Sequence, residues 1–435
     1  MNTTHPLTYS TAARVFALIA IAVVTGCEPA TDDLASGWAM HVIDNTLSGA
    51  DGVDLFDIDA DGDLDAVVGW EESNALRLYL NPGVSRVRSA WPAVDISGGV
   101  PVGKIEDARF ADLNDDGVID AVFSAAEKGS ERIAAHWLRD AARPGRASSW
   151  EGQILEAAPR YRYIKLAFGD LDGNGVADVI AGAKADDAPG ALLWIRANVP
   201  GESPLHWQAA FIDEVEWVDS VLIRDINGDG LRDILMNHNG FLGWFRNPGE
   251  GAGRWSRQTI SERTGPYFAA CSTGDAALML VTGTDLSQHQ PGRRALYLIM
   301  QDASSESGWA IKEIASRLAV PRDSEDYAVK GLACGNLDDD PLPDIAVSVS
   351  GQGVGLFALM NLDPGSSEPL EMITIGNRRF ASYKGIKHDN VVMADIDNDG
   401  DLDLITTEEN GRRPGLFGYF RPEGMGTLWY ENPLL

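Results

Sequence analysis

The chain has 435 residues, 44% of them hydrophobic, which is enough to bury a large core. Its 65 acidic and 35 basic side chains leave a formal charge of −30, which repels nucleic acid and anionic lipid and attracts cations. An aromatic content of 8% and many β-branched runs exclude a disordered acidic chain.

In chain order the first element is an export signal. Arg14 precedes an apolar run from Val15 to Val24, far short of the roughly 20 residues a membrane-spanning helix needs, yet suited to the apolar part of a secretory signal. The run ends Val24-Thr25-Gly26-Cys27, which resembles the bacterial lipobox; the resemblance implies that Cys27 becomes the lipidated first residue. Residues 1–26 are therefore read as a lipoprotein signal peptide, 27–36 as a polar tether, and 37–435 as one domain. The expected location is outside the cytoplasm, periplasmic or on the cell surface of a bacterium, with the lipid anchor as the only membrane contact.

The rest of the chain repeats. Acidic stretches start at Asp57 (DIDADGDLD), Asp112 (DLNDDGVID), Asp170 (DLDGNGVAD), Asp225 (DINGDGLRD), Asn336 (NLDDDPLPD) and Asp395 (DIDNDGDLD). The starts step by 55, 58, 55, 111 and 59 residues, so one copy is hidden in the double step, where Tyr267 to Thr284 keeps the apolar strands and loses the ligands. A strand opening on Trp and closing on an aliphatic residue recurs from Trp38, Trp91, Trp150, Trp207, Trp255 and Trp309, with Leu370 opening the seventh copy. Aromatic strands follow the same period, several closed by Asn-Pro. Four short strands per repeat of this length predict an all-β fold, a seven-bladed β-propeller with four-stranded blades. The unpartnered strand from Trp38 to Ile43 and the final aromatic strand from Leu428 to Pro433 are expected to pair as a clasp, which removes two open edges. Cys271 and Cys334 sit in matching contexts of neighbouring repeats; two small buried thiols are expected, with a disulfide as the alternative in an oxidising compartment.

The acidic stretches offer oxygen ligands at positions one, three, five and nine, with glycine at six for a sharp turn. The sets are Asp57, Asp59, Asp61 and Asp65; Asp112, Asn114, Asp116 and Asp120; Asp170, Asp172, Asn174 and Asp178; and Asp225, Asn227, Asp229 and Asp233. Asn336, Asp338, Asp340 and Asp344 form the sixth, where Pro341 replaces the glycine, and Asp395, Asp397, Asp399 and Asp403 the last. Position twelve is never glutamate and strands flank every copy, so these are not EF-hands. Ca2+ is the expected cation.

With those residues in view, the chain resembles the FG-GAP/VCBS repeat proteins, which include the propeller head of integrin α chains. The resemblance runs from about Trp38 to Leu435 and implies a seven-bladed propeller with calcium in the turns after each innermost strand. The ligand-poor fifth repeat and Pro341 depart from it.

On the opposite face, the residues before each inner strand and after each second strand form a candidate ligand surface: Trp70, Glu71, Glu72, Tyr163, Lys165, His388, Asp389, Glu408 and Glu409. Asp51, Glu106, Asp107, Asp219 and Lys330 belong to the same end. Trp70 and Tyr163 could stack on a sugar ring or grip a partner, and His388, Tyr163 or Lys165 could move a proton. The sequence favours a monomeric binding or adhesion module for a glycan or protein. A carbohydrate-active enzyme of lyase or dehydratase type is the alternative.

Overall fold

Short β-branched and aromatic runs separated by Gly-, Asn- and Asp-rich turns fold into antiparallel four-stranded sheets. The computed structural model describes residues 37–433 except 102, 130, 186–188, 198–206, 239–240, 250–253, 263, 272–277, 285–295, 306, 316–327, 352–354, 367, 369, 377–385 and 409–424. The first strand is β1 (Ala39–Asp44). Blade 1 holds β2 (Ala50–Phe56), β3 (Asp65–Trp70), β4 (Ala75–Tyr79) and β5 (Ala93–Asp95), and blade 2 holds β6 (Ile105–Ala111), β7 (Asp120–Ala125), β8 (Arg132–Leu138) and β9 (Trp150–Ile154). Blade 3 is β10 (Arg162–Gly169), β11 (Asp178–Lys184), β12 (Gly190–Ala197) and β13 (Trp207–Val215); blade 4 is β14 (Val218–Arg224), β15 (Asp233–His238), β16 (Phe241–Arg246) and β17 (Ser256–Ser261). Blade 5 comprises β18 (Thr264–Cys271), β19 (Met279–Thr284), β20 (Leu296–Gln301) and β21 (Trp309–Ala315). Blade 6 comprises β22 (Ala328–Gly335), β23 (Asp344–Gly351), β24 (Leu356–Met360) and β25 (Glu371–Gly376). Blade 7 uses β26 (Ile386–Ala394), β27 (Asp403–Glu408) and β28 (Gly426–Glu431), and takes β1 as its outer strand.

The innermost strands make the ring: β2 packs on β6, and so on around to β26, which returns to β2. The predicted seven-bladed propeller and its clasp are both present, with Ala39 paired to Glu431 and Val42 to Leu428. The hidden fifth repeat is a full blade. Second strands such as β3, β7 and β11 are buried along their whole length, because each face packs against a neighbouring blade. Trp38, Trp91 and Trp150 of the Trp-led strands are buried. Sealing one such indole removes roughly 200 Å² from water, on the order of 5 kcal/mol before ordering entropy is subtracted. Blades 1 and 2 approach so closely that a Cβ at Gly52 would lie 2.8 Å from the Ala108 nitrogen.

Cys271 and Cys334 form a disulfide across the inner strands of blades 5 and 6, Cα to Cα 5.2 Å. The expectation of two separate thiols is thus corrected. Matching positions on adjacent inner strands face one another, and that proximity was not deducible from either context alone. Among the described residues no helix is long and apolar enough to cross a membrane.

Candidate functional site

Each acidic turn is shaped first by its own side chains. The first carboxylate accepts the fifth and sixth N–H groups: Asp57 takes Asp61 at 3.1 Å and Gly62 at 3.0 Å, and Asp395 takes Asp399 at 3.2 Å and Gly400 at 3.1 Å. The fifth side chain accepts in turn from the seventh N–H, as Asp61 does from Asp63 and Asp116 from Val118. These are Asx turns in series. Gly62 and Gly400 adopt φ of 96° and 101°, which a side chain would resist. Position four is left-handed too, at Ala60, Asp115, Asp339 and Asn398. In the sixth turn Pro341 has no N–H to offer, and the Asn336 amide donates instead to the Asp340 carbonyl.

Position nine has a task the sequence did not reveal. Asp65 accepts the Ile58 N–H at 3.0 Å through one oxygen and the Asn81 N–H at 2.8 Å through the other. Asp233, Asp344 and Asp403 repeat this pair of bonds. The asparagine of the Asn-Pro pair then reaches sideways: Asn81 Nδ2 donates to the Ile396 carbonyl, Asn247 to Leu171 and Asn432 to Leu337, each in the turn of the preceding blade. Gln301 performs that role in blade 5, on the Ile226 carbonyl. Turn, strand end and neighbouring blade are thereby stitched together.

Three turns also gather carboxylates. Ligand oxygens of Asp57, Asp59 and Asp61, of Asp170, Asp172 and Asp178, and of Asp395, Asp397 and Asp399 each lie within 4.8 Å of one another. Elsewhere another group intervenes: Asn114 donates to Asp116 at 2.8 Å, and Arg246 sits 3.0 Å from Asp229. Several oxygens in the turns are buried without a donor, namely Asp120 Oδ2, Asp178 Oδ1, Asp397 Oδ1 and Asp401 Oδ1. A buried carboxylate oxygen with no N–H is costly unless a cation meets it, so the donor set fits a hard divalent ion. Asp401, at position seven, extends the last turn beyond the set read from sequence. Burial, then Asp399, Asp397 and Asp395, pushes its carboxyl up to about 7. Arg88 reaches this turn from blade 1, bonding Asp397 and placing two nitrogens on Glu431 at 2.7 and 2.9 Å.

At the other end of the inner strands, about 20 Å away at 3.3 Å per residue, a second feature emerges. Every inner strand shifts register against its partner near its start; the break is a single residue at Glu106, Ile164, Asp219, Lys330 and Asp389, two residues including Asp51 in blade 1, and three including Tyr267 in blade 5. Such bulges re-aim a side chain out of the pleat. Charges from separate blades therefore meet at the channel mouth. Lys330 Nζ lies 3.5 Å from Asp389, Lys165 3.7 Å from Asp107, and Lys184 2.6 Å from Glu106. Asp219 accepts the Trp217 indole N–H at 2.6 Å. Burial, then the adjoining Asp389, pushes Asp51 well above the ordinary carboxylate range. Burial also pushes Asp219 up to about 6. Burial works against the Lys330 ammonium, yet Asp389, Asp219 and Asp51 outweigh it and raise it.

In fold the chain is similar to BBS1N. A crystal structure of BBS1N in complex with ARL6DN, soaked with mercury, superposes with a TM-score of 0.51 over 91% of this chain and 97% of that one, at 10% identity. No protein-family model matches the chain, and no curated protein matches it.

Several residues of the predicted ligand face are not on a surface. Trp70 is fully buried between blades 7 and 1, its indole donating to the Tyr79 hydroxyl at 3.0 Å, which donates to Asp44 at 2.7 Å. Tyr163 is also fully buried and gives its hydroxyl proton to the Pro159 carbonyl. Neither can stack on a ligand as placed. Glu408 is 2% exposed and accepts the Met425 N–H at 2.7 Å. Glu71 pairs with Lys104 at 2.8 Å, and Glu72 is exposed. Glu409 lies outside the described residues. Asp389 and Lys165 do join the mouth, where Tyr267 and Trp217 were missed. Tyr267 was hidden because the degenerate fifth turn gave no acidic start from which to count back.

His388 is fully buried, and burial pushes its imidazole down to about 4, so it is neutral at pH 7 and a poor base. The unfolded chain, with an ordinary value of about 6.5, takes up a proton first as pH falls. Stability from this group is therefore present above pH 6.5 and is lost between pH 6.5 and 4. His388→Gln should lessen the acid loss over that window by about 3 kcal/mol. Denaturant melts at pH 7 and 4 check this, and equal pH dependence in both proteins would contradict it.

Proposed function

We propose that the protein is an exported, lipid-anchored propeller whose acidic turns bind calcium, and that it acts as a binding module for a glycan or protein partner. The buried, donorless carboxylate oxygens of the turns carry the calcium reading. The bonds within the turns explain their shape but leave these oxygens unsatisfied. The Cys271–Cys334 disulfide supports export, since such bonds persist in oxidising compartments. The anchor rests on the Cys27 motif alone. The structurally similar BBS1N was crystallised in a complex, and propellers host many unrelated functions, so the partner must be argued from the site.

Removing calcium should lower the melting temperature beyond any matched change in ionic strength. Each site filled at 100 times its dissociation constant contributes about 2.7 kcal/mol. Melts in excess chelator against calcium, at constant ionic strength, provide the test; coincident curves would leave the turns as plain Asx turns. Cys27→Ala should yield an unprocessed or soluble chain, read by membrane fractionation.

A second reading, a carbohydrate-active enzyme, draws on the same mouth. The Asp51 carboxyl, pushed well above the ordinary range by burial and then by Asp389, and the Asp219 carboxyl, pushed up to about 6 by burial, are displaced acids of the kind proton transfer requires. In that case these groups replace His388, Tyr163 and Lys165 as the candidates for moving a proton. Unsaturated ultraviolet-absorbing products from a polysaccharide panel would favour it.

A further inference from the structure

The last acidic turn lies at the seam where the ring closes. It joins β26 to β27 in blade 7, whose outer strand, β1, comes from the far end of the chain. The chain connects β1 to blade 1, while blade 7 holds it by side chains and by the ladder to β28, from Ala39 opposite Glu431 to Asp44 opposite Thr427. Release of β1 is therefore a local opening that leaves the other blades folded.

Asp397 divides its carboxylate between this seam and the turn. Its Oδ2 takes a bond from Arg88, in the loop between β4 and β5, and its Oδ1 is buried without a donor. The residue is 2% exposed, and it offers an oxygen within 4.8 Å of ligand oxygens of Asp395 and Asp399. Asp401 is 5% exposed and leaves a second buried oxygen without a donor, while its N–H goes to Asp399 at 3.2 Å. Among the described residues the turns of blades 2 and 3 hold one such oxygen each, on Asp120 and Asp178. Two in one turn, beside a gathered carboxylate trio, make this turn the one that most needs a cation.

From Asp397 a series of charged bonds leads into the clasp. Arg88 also gives N–H groups to Glu431 of β28 at 2.7 and 2.9 Å, and Glu431 accepts the His41 Nε2–H of β1 at 2.8 Å. A second route runs through position nine, where Asp403 accepts the N–H of Asn432, directly after β28, at 2.8 Å. The Asn398 amide ties in the turn of blade 1 by donating to Asp63. Both clasp strands are thus supported by this one turn.

Without an ion the gathered carboxylates repel one another and the two buried oxygens stay unsatisfied, which favours opening of the turn. Opening draws Asp397 from Arg88 and Asp403 from Asn432, so each clasp strand loses a support. An ion reverses this. By linkage, pairing of β1 then raises the affinity of the turn by the same factor.

We propose that a divalent cation in the last acidic turn fastens the ring, its binding being coupled through Arg88 and Glu431 to the pairing of β1 with β28. This rests on the calcium reading of the turns and adds what one of them controls.

The test is amide hydrogen exchange of the full chain in calcium and in chelator, at constant ionic strength. Calcium should slow exchange in β1 by about tenfold or more, and by clearly less in β9 and β17, the outer strands of blades 2 and 4. Arg88→Met keeps the aliphatic stem and removes the guanidinium; it should bring the calcium effect on β1 down to that on β9 and β17. Asp399→Asn keeps an acceptor for the Asp401 N–H but withdraws a charged ligand, and it should abolish the effect on β1 while the calcium-dependent melt persists through the other turns. Equal calcium protection of β1, β9 and β17 in the wild type, or undiminished protection of β1 in both variants, would overturn the coupling. The melt separates the two readings. If calcium raises the melting temperature but leaves β1 unprotected, only the coupling fails; if calcium changes neither, the calcium reading fails with it.

Discussion

Asp233→Ala is expected to cost about 3–5 kcal/mol of folding stability, with or without calcium. The substitution removes a buried carboxylate that accepts the Ile226 N–H at 3.0 Å and the Asn247 N–H at 2.8 Å. Hydrogen bonds to a charged group contribute about 1.5–3 kcal/mol each, and both N–H groups would be left unsatisfied in the interior. Asn247 would also lose the anchor that aims its amide at Leu171 in blade 3, so the damage spreads across a blade seam. Asp233→Asn keeps one acceptor and should lose roughly half as much. Blade 4 is the proper place for the experiment because Arg246 already occupies Asp229 in that turn. Denaturant melts in calcium and in chelator should show the same loss. A loss confined to the calcium arm would mean that position nine serves the ion and not the backbone.

Cys271→Ser should remove about 2–4 kcal/mol, and reductant should bring the wild type to the same level. The bond closes a 63-residue span and fastens two inner strands that share no ladder. Its loss frees the unfolded chain more than it disturbs the folded one, so the effect should appear chiefly as a shifted midpoint. Reductant should leave Cys271→Ser unchanged. Two reactive thiols in the denatured, unreduced protein would show that the pair is not joined.

The repeat spacing was enough to read seven blades, the degenerate fifth copy and the clasp, because turn chemistry and strand count recur at a fixed period. The orientation of single side chains was much less legible. Trp70 follows a strand and precedes two glutamates, which looks like an exposed rim; β3 is buried on both faces, so alternation carries no signal there. Asp65 and its equivalents at position nine looked like further ligands of the same kind. Their bonds to the end of the third strand depend on register across about fifteen residues, which no local motif encodes. The mouth was partly visible: Asp51, Glu106, Asp219, Lys330 and Asp389 all lie six residues before an acidic start. What the spacing could not give was the bulge that turns them together.

The pairing of β1 with β28 joins residues at opposite ends of the propeller's sequence, such as Ala39 and Glu431. During synthesis the first strand emerges long before its partner exists. Through all that time it is a bare edge, able to pair with any other strand it meets. Closure is the most distant contact in the fold and therefore an expected slow step. The same arrangement makes completeness a condition of stability: a chain that stops before its last strand leaves Trp38 and its neighbours without cover, and a cell could use that exposed strand to recognise unfinished copies.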